Sequence, residues 1–375
     1  MELNAIKYME RAARTNKAIV SLGQGIPSSH LDAALQQVAI ETIRRGDADA
    51  YSDPQGLPRL RYLIAGQLIE QDMNYSADEI IITAGAIEAL SVVLRSVVSS
   101  DTSEVIVPTP VYGAYFKLIE TARGKAVQIP LDEEASWALD IELLARSVNK
   151  NTAAILLCNP NNPTGSVYDK ATLEAVAIIA KKAGIALIVD EVYRNMLFSD
   201  ERLYSPAQDP QFKQTVIRLM SFSKDFAMTG WRVGYIQADR SRITKLLAIH
   251  DTLVNCAPVI SQYVACEAVL QQVRIIEENR VMYDLRRRLM ASYLDKLSGH
   301  MSYEMPRGGY FFFPKYLGGP KSDLLAQQLL ACNLAVIPGS AFGLGGEGHL
   351  RLCFGRSEAA IREGMERLVQ YYHAK

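Results

Sequence analysis

The 375-residue sequence is short of the features that mark several protein classes. No uninterrupted apolar run approaches the roughly 18 residues of a membrane span. The N-terminal segment MELNAIKYMERAARTNK is charged throughout and lacks the apolar stretch of a secretion signal. Neither sign of charge is in excess: 40 Lys plus Arg against 41 Asp plus Glu leave a formal net charge of -1, so no global field holds the chain on nucleic acid or an anionic membrane. The five cysteines, Cys158, Cys256, Cys266, Cys332 and Cys353, are odd in number, scattered and without a C-x-x-C pair. That pattern fits neither a disulfide framework nor a thiolate zinc site. His30, His250, His300, His349 and His373 form no H-E-x-x-H or similar ligand pair, so no metal site is expected. The expectation is a soluble, unexported protein of a reducing cytoplasm.

What is present is material for a large core. Hydrophobic residues make up 49% and charged residues 22%, which excludes intrinsic disorder as the dominant state. At about 100–200 residues per domain, the length suits two domains, or one large domain with a smaller partner. Short runs rich in Val, Ile and Leu end in loop-forming residues and are followed by helical patterns: DEIIITAG (78–85), EVIVPTP (104–110), AAILLCNPNNPTG (153–165), IALIVDEVY (185–193) and TVIRLMSFSK (215–224). These read as strands buried on both faces of a parallel sheet, an α/β architecture. DKATLEAVAIIAKKAG (169–184) predicts a helix capped by Asp169 and closed by Gly184. From about Gln271 a charge-rich helical pattern, 273–297, leads to strand-like pieces around YEMPRGGYFFFPKY and HLRLCF, which reads as a bridge into a smaller α+β domain.

In open α/β sheets, ligands bind outside the carboxyl ends of the strands, so polar residues there matter most. Four predicted strand ends carry them: Gly85-Ala86, Asn162-Pro163-Thr164-Gly165, Asp190 to Tyr193, and Ser221-Phe222-Ser223-Lys224. A lysine near other positive charge and partly desolvated has the lowered pKa that Schiff-base formation requires, and Arg232 follows Lys224 by eight residues. Taken alone, Lys224 reads as a solvated surface charge, as most lysines are. Ser221, Ser223 and Arg232 suit phosphate oxygens, or else form a serine-rich turn with a structural ion pair. Asp190 ends an apolar run and needs a cationic partner, which a protonated pyridine nitrogen or an ordinary sheet-end ion pair supplies. GLGGEG (343–348) matches G-x-G-x-x-G in spacing only, because it precedes a predicted strand rather than a helix. It is read as a flexible glycine loop.

The string SFSKDFAMTGWRVG (221–234) resembles the cofactor-lysine signature of class I and II aminotransferases, pyridoxal-5'-phosphate (PLP) enzymes of fold type I. YSDPQGLPRLR, PTPVYGAY, NPNNPTG, DEVY, PRGGYFFFP, VIPGSAFG and HLRLCFG fall in the family's order, and the match runs from about Val20 to Arg356. The resemblance implies a large domain, 35–272, with a mostly parallel seven-stranded sheet between helices. It implies a small α+β domain built from both chain ends, 1–34 and 273–375. It also implies that Lys224 carries the cofactor and moves the Cα proton, that Asp190 pairs with the pyridine nitrogen, that Tyr193 and Asn162 hold the ring's 3'-oxygen, and that Tyr112 stacks on the ring. Gly85 and the backbone amides of Ala86 and Ile87 would receive the phosphate with Ser221, Ser223 and Arg232, and Tyr51 would reach in from the second subunit of a homodimer. Some relatives carry a hydroxyl residue where this chain has Ala86, which places more of the load on the backbone.

Arg351 would hold the substrate α-carboxylate, with Asn162, Gly25, Ile26 and Ser29 around the substrate. Many relatives read G-x-P-D-F where this chain has Gly25-Ile26-Pro27-Ser28-Ser29-His30, so Ser28, Ser29 or His30 is expected to meet a polar substrate group. The leading reading is a ping-pong transfer of an amino group from an α-amino acid to a 2-oxo acid. A β- or γ-eliminating lyase or cyclising synthase on the same scaffold is one alternative, and a non-catalytic PLP-binding regulatory module is another.

Overall fold

A computed structural model describes residues 5–199 and 202–374. Seven segments form one sheet: Ile80–Thr83 (β1), Glu104–Thr109 (β2), Lys125–Pro130 (β3), Thr152–Cys158 (β4), Ala186–Asp190 (β5), Val216–Ser221 (β6) and Gly234–Ala238 (β7). The spatial order is β1-β7-β6-β5-β4-β2-β3. β7 runs antiparallel to both its neighbours, and every other pairing is parallel. The fold is therefore α/β with a mostly parallel sheet.

The sequence runs account for the burial. Every residue of β1, β5, β6 and β7 is buried. Side chains alternate between faces along a strand, so one run feeds two cores. Ile155, Leu157, Leu187 and Val189 enter one cluster, while Ala154, Leu156, Ala186 and Ile188 enter the other. Lys170–Ala183 forms the expected helix, with the Asp169 carboxylate accepting from the Thr172 amide at 2.7 Å and Gly184 in the left-handed region at φ 68°.

The chain ends and the segment after the sheet share smaller sheets. Val20–Ser21 pairs in parallel with Leu334–Ala335, and Leu350–Cys353 lies between Phe311–Phe312 and Ile337–Pro338. The 23-residue helix Gln272–Leu294 packs on Glu358–His373. GLGGEG lies between the short helix Gly339–Phe342 and the strand Leu350–Cys353, with no helix after it. No helix among the described residues is long and apolar enough to cross a membrane.

Candidate active site

Registers within the sheet decide which side chains meet. Cys158 pairs with Asp190, Asp190 with Leu219, and Gly234 with both Ser221 and Thr83. The C-terminal ends of β1, β4, β5 and β6 and the start of β7 therefore lie along one edge. The twelve-residue connection from β6 to β7, 222–233, holds only the one-turn helix Phe222–Asp225, not the full-length helix that usually makes a parallel crossover. Its antiparallel return keeps Ser221, Ser223, Lys224 and Arg232 together at that edge.

A cavity of about 290 Å³ opens there. Its wall includes Gly25, Ile26, Ala86, Ile87, Tyr112, Asn162, Asp190, Tyr193, Ser221, Ser223, Lys224, Arg232 and Arg351. These thirteen expected positions come from segments far apart in the chain, and the fold brings all of them to one wall.

Lys224 extends its Nζ to the carbonyl of Gly25, 2.8 Å away. Tyr310 donates to the same carbonyl at 2.9 Å. A Cβ on Gly25 would lie 2.6 Å from the Phe311 ring, so only glycine lets the chain pass close enough to serve both. Burial is the main reason the Lys224 amine is pulled down to about 8, with Arg351 and Arg232 lowering it further against the pull of Asp190.

Asp190 is 7% exposed, and its carboxylate accepts from Tyr115 Oη at 2.7 Å and from the Val192 amide at 3.2 Å. Burial raises its pKa to about 6 despite those bonds and the charge of Lys224. The carboxylate is short of positive charge, which a cationic ligand group would supply. Burial likewise raises the phenols of Tyr193, Tyr112 and Tyr115, so all three stay protonated donors at neutral pH.

The helix Ala86–Val97 begins at Gly85 without a side-chain cap. Gly85 has φ 87°, and a Cβ there would meet Arg232 Nη2 at 2.4 Å. Arg232 itself sits at φ 53°, donates to the carbonyls of Thr229 at 2.9 Å and Ala84 at 3.3 Å, and approaches Ser223 Oγ at 3.5 Å. Uncapped amides, a guanidinium and two hydroxyls make a receptor for a compact anion.

Arg351 is 2% exposed and sits over the Phe311 ring at 4.3 Å. It donates to Asn162 Oδ1 at 3.0 Å and to the Gly23 carbonyl at 2.6 Å, while its Nε has no partner. None of the ion pairs among the described residues includes it. A buried cation of this kind has the charge and the free N–H to suit a carboxylate.

The remaining expected positions stand elsewhere. Tyr51 is 81% exposed and takes no part in this chain's cavity wall. Gly85 backs Arg232 rather than lining the cavity. Ser28, Ser29 and His30 do not border the cavity either. Ser28 Oγ accepts from Arg286 at 3.0 Å, the buried Ser29 hydroxyl has no regular partner and lies beside Tyr283, and His30 is exposed. Ser28 and Ser29 thus meet Arg286 and Tyr283 of the helix Gln272–Leu294, away from the cavity.

Several wall residues escaped the sequence reading. Tyr115 follows Tyr112 by one helical turn, a spacing that signals a shared face, yet a tyrosine there reads equally as core. Cys158 ends β4 in register with Asp190. Ile6, Lys7 and Glu10 of the helix Ala5–Thr15 also line the cavity, as does Phe311.

A mostly parallel sheet whose edge presents a desolvated lysine, a buried aspartate and an anion cradle defines a class of lysine-dependent cofactor enzymes. The family model for aminotransferase class I and II matches residues 17–368, and the chain belongs to that family. An aspartate aminotransferase of Pyrococcus abyssi is 34% identical over 367 residues, covering 96% of this chain and 93% of that one. Aromatic-amino-acid aminotransferase 2 of Thermococcus litoralis is 30% identical over 378 residues, covering 99% and 96%. Among solved structures, the aspartate aminotransferase of Thermus thermophilus with maleate superposes at a TM-score of 0.92 with 27% identity, over 99% of this chain and 97% of that one. The protein is a transaminase of fold type I, an enzyme of a PLP-dependent family.

Proposed function

We propose that this cavity binds PLP on Lys224 and transfers an amino group from an α-amino acid to a 2-oxo acid. The observation that carries the reading is the pairing across one cavity of a desolvated Lys224 with a buried Arg351 that lacks a carboxylate partner. The residues fit the cofactor. The uncapped start of the helix Ala86–Val97, with Ser221, Ser223 and Arg232, would hold its phosphate. Asp190 would gain the positive charge it lacks from the ring nitrogen, Tyr193 and Asn162 would donate to the ring oxygen, and Tyr112 would cover one face. When bound, the cofactor supplies an electron sink for the pair left on the substrate Cα.

The rest of the mechanism belongs to the chain. Arg351 orients the amino acid by its α-carboxylate. Lys224 Nζ, with its pKa near 8, is a base strong enough to take the Cα proton and weak enough to give it back. The apolar wall around Gly25, Ile26 and Phe311 excludes water from that exchange. The same reading divides the chain into a large part, 35–272, and a smaller part made of 1–34 and 273–375. It also makes the working form a homodimer in which Tyr51 serves the other copy's cavity.

The test is the visible absorbance of the cofactor-loaded protein against a panel of amino acids, followed by 2-oxoglutarate. Loss of the band with an amino acid and its return with the oxo acid is the expected result. Release of ammonia or a leaving group without an oxo acid would favour an eliminating lyase, and a protein that takes up the cofactor but reacts with no amino acid would favour a non-catalytic PLP-binding regulatory module.

A further inference from the structure

Glu10 is the unexplained group of the cavity wall. It lies on the helix Ala5–Thr15, where Ile6, Lys7 and Glu10 form one face toward the cavity. Glu10 is 7% exposed, its Oε1 is buried without a hydrogen-bond partner, and none of the ion pairs among the described residues includes it. Arg356, Arg14, Arg351 and Lys7 act on it through space, yet burial still raises its pKa. Lys7 and Arg14 are exposed, so solvent weakens their share. A buried carboxylate with a free oxygen is stabilised by any ligand that brings an N–H to it.

Glu10, Ile6 and Lys7 line the same cavity as Arg351, so an amino acid anchored on Arg351 by its α-carboxylate would share that cavity with the free Glu10 oxygen.

We propose that Glu10 reads the amino donor's side chain, accepting a hydrogen bond from a side-chain N–H and disfavouring a side-chain carboxylate. The shared chemistry is a nitrogen donor, which an ammonium or a carboxamide provides. A second carboxylate beside Glu10 meets like charge in a poorly solvated place. The inference rests on the transaminase reading and adds to it a class of donor.

The experiment uses the cofactor-loaded enzyme and the isosteric pairs glutamine/glutamate and asparagine/aspartate, with lysine as the ammonium arm. The half-reaction rate is measured for each donor. Dissociation constants of the 2-methyl analogues, which lack a Cα proton and bind without reacting, give a readout independent of turnover. The wild type is expected to prefer each amide over its acid. Glu10→Ala should reduce that preference about tenfold or more, the value of one hydrogen bond to a charged group. Glu10→Gln should keep part of the amide preference and lose the lysine reaction. A wild type that prefers the acids, or variants in which every donor weakens by one factor, would overturn the proposal. A wild type that reacts with no amino acid would remove the transaminase reading, and the proposal with it.

Discussion

At the scale of single residues, the cavity is a place where burial works against charge. Lys224 and Asp190 are both pushed toward neutrality, the amine down to about 8 and the acid up to about 6. The amine has a consequence measurable without cofactor. Between pH of about 8 and the ordinary lysine value of 10.5, the folded chain binds fewer protons at Lys224 than the unfolded chain does. Stability of the cofactor-free protein should therefore rise with pH through that window. Lys224→Met should abolish this part of the rise, as read from denaturant midpoints at stepped pH. Labelling by an amine-selective reagent at matched pH should likewise modify Lys224 well before the surface lysines. Equal labelling rates would place its amine in ordinary solvent. Lys224 and Arg232 were legible in the sequence because the string 221–234 carries both, and Asp190 because DEVY does; residue type alone left each of them an ordinary charge. Tyr115 and Glu10 were illegible for opposite reasons: a buried tyrosine looks like core, and a glutamate in a charged helix looks like a solvated face.

At the scale of elements, the site depends on one strand running backwards. The return from β6 into β7 stations Lys224 and Arg232 beside the start of the helix Ala86–Val97. Five of the seven strands were legible because central strands buried on both faces are nearly continuous apolar runs. The other two were not. Lys125–Pro130 is an edge strand with only one buried residue, and GYIQA is short and begins in the glycine of a functional turn. Gly85 couples helix and arginine, since φ 87° disfavours a side chain and an added Cβ would have to push Arg232 Nη2 aside. Gly85→Ala should displace the guanidinium and lower stability by about 1–2 kcal/mol. Affinity for inorganic phosphate should fall at least several-fold, measured by calorimetry on the cofactor-free protein. A variant that binds phosphate as tightly as the wild type would show that the cradle does not need Arg232 in this position.

At the scale of the whole molecule, thirteen of the expected positions line the cavity while Gly85, Ser29 and Tyr51 do not, and Tyr51 is the one expected to come from a second copy. Tyr51 stands 81% exposed, and other large apolar side chains are bare as well, among them Tyr62 at 70%, Ile69 at 67% and Val273 at 79%. In a two-fold dimer, side chains of this kind would be buried against the other copy. If Tyr51 serves the opposite cavity of a two-fold dimer, two crippled chains should repair each other. Lys224→Ala retains Tyr51 but has no active amine, and Tyr51→Ala retains the amine but cannot complete its neighbour. A hybrid dimer of the two holds one cavity with Lys224 and the Tyr51 of the other chain, and one cavity with neither. Random reassortment makes about half of all dimers hybrid, so one cavity in four is whole and about a quarter of wild-type activity should return on mixing. If Tyr51 instead served its own chain, each hybrid cavity would lack one of the two groups. Mixing would then restore nothing. The assay, run after subunit exchange at a concentration where sedimentation shows dimers, separates the two arrangements by the presence or absence of that recovered quarter.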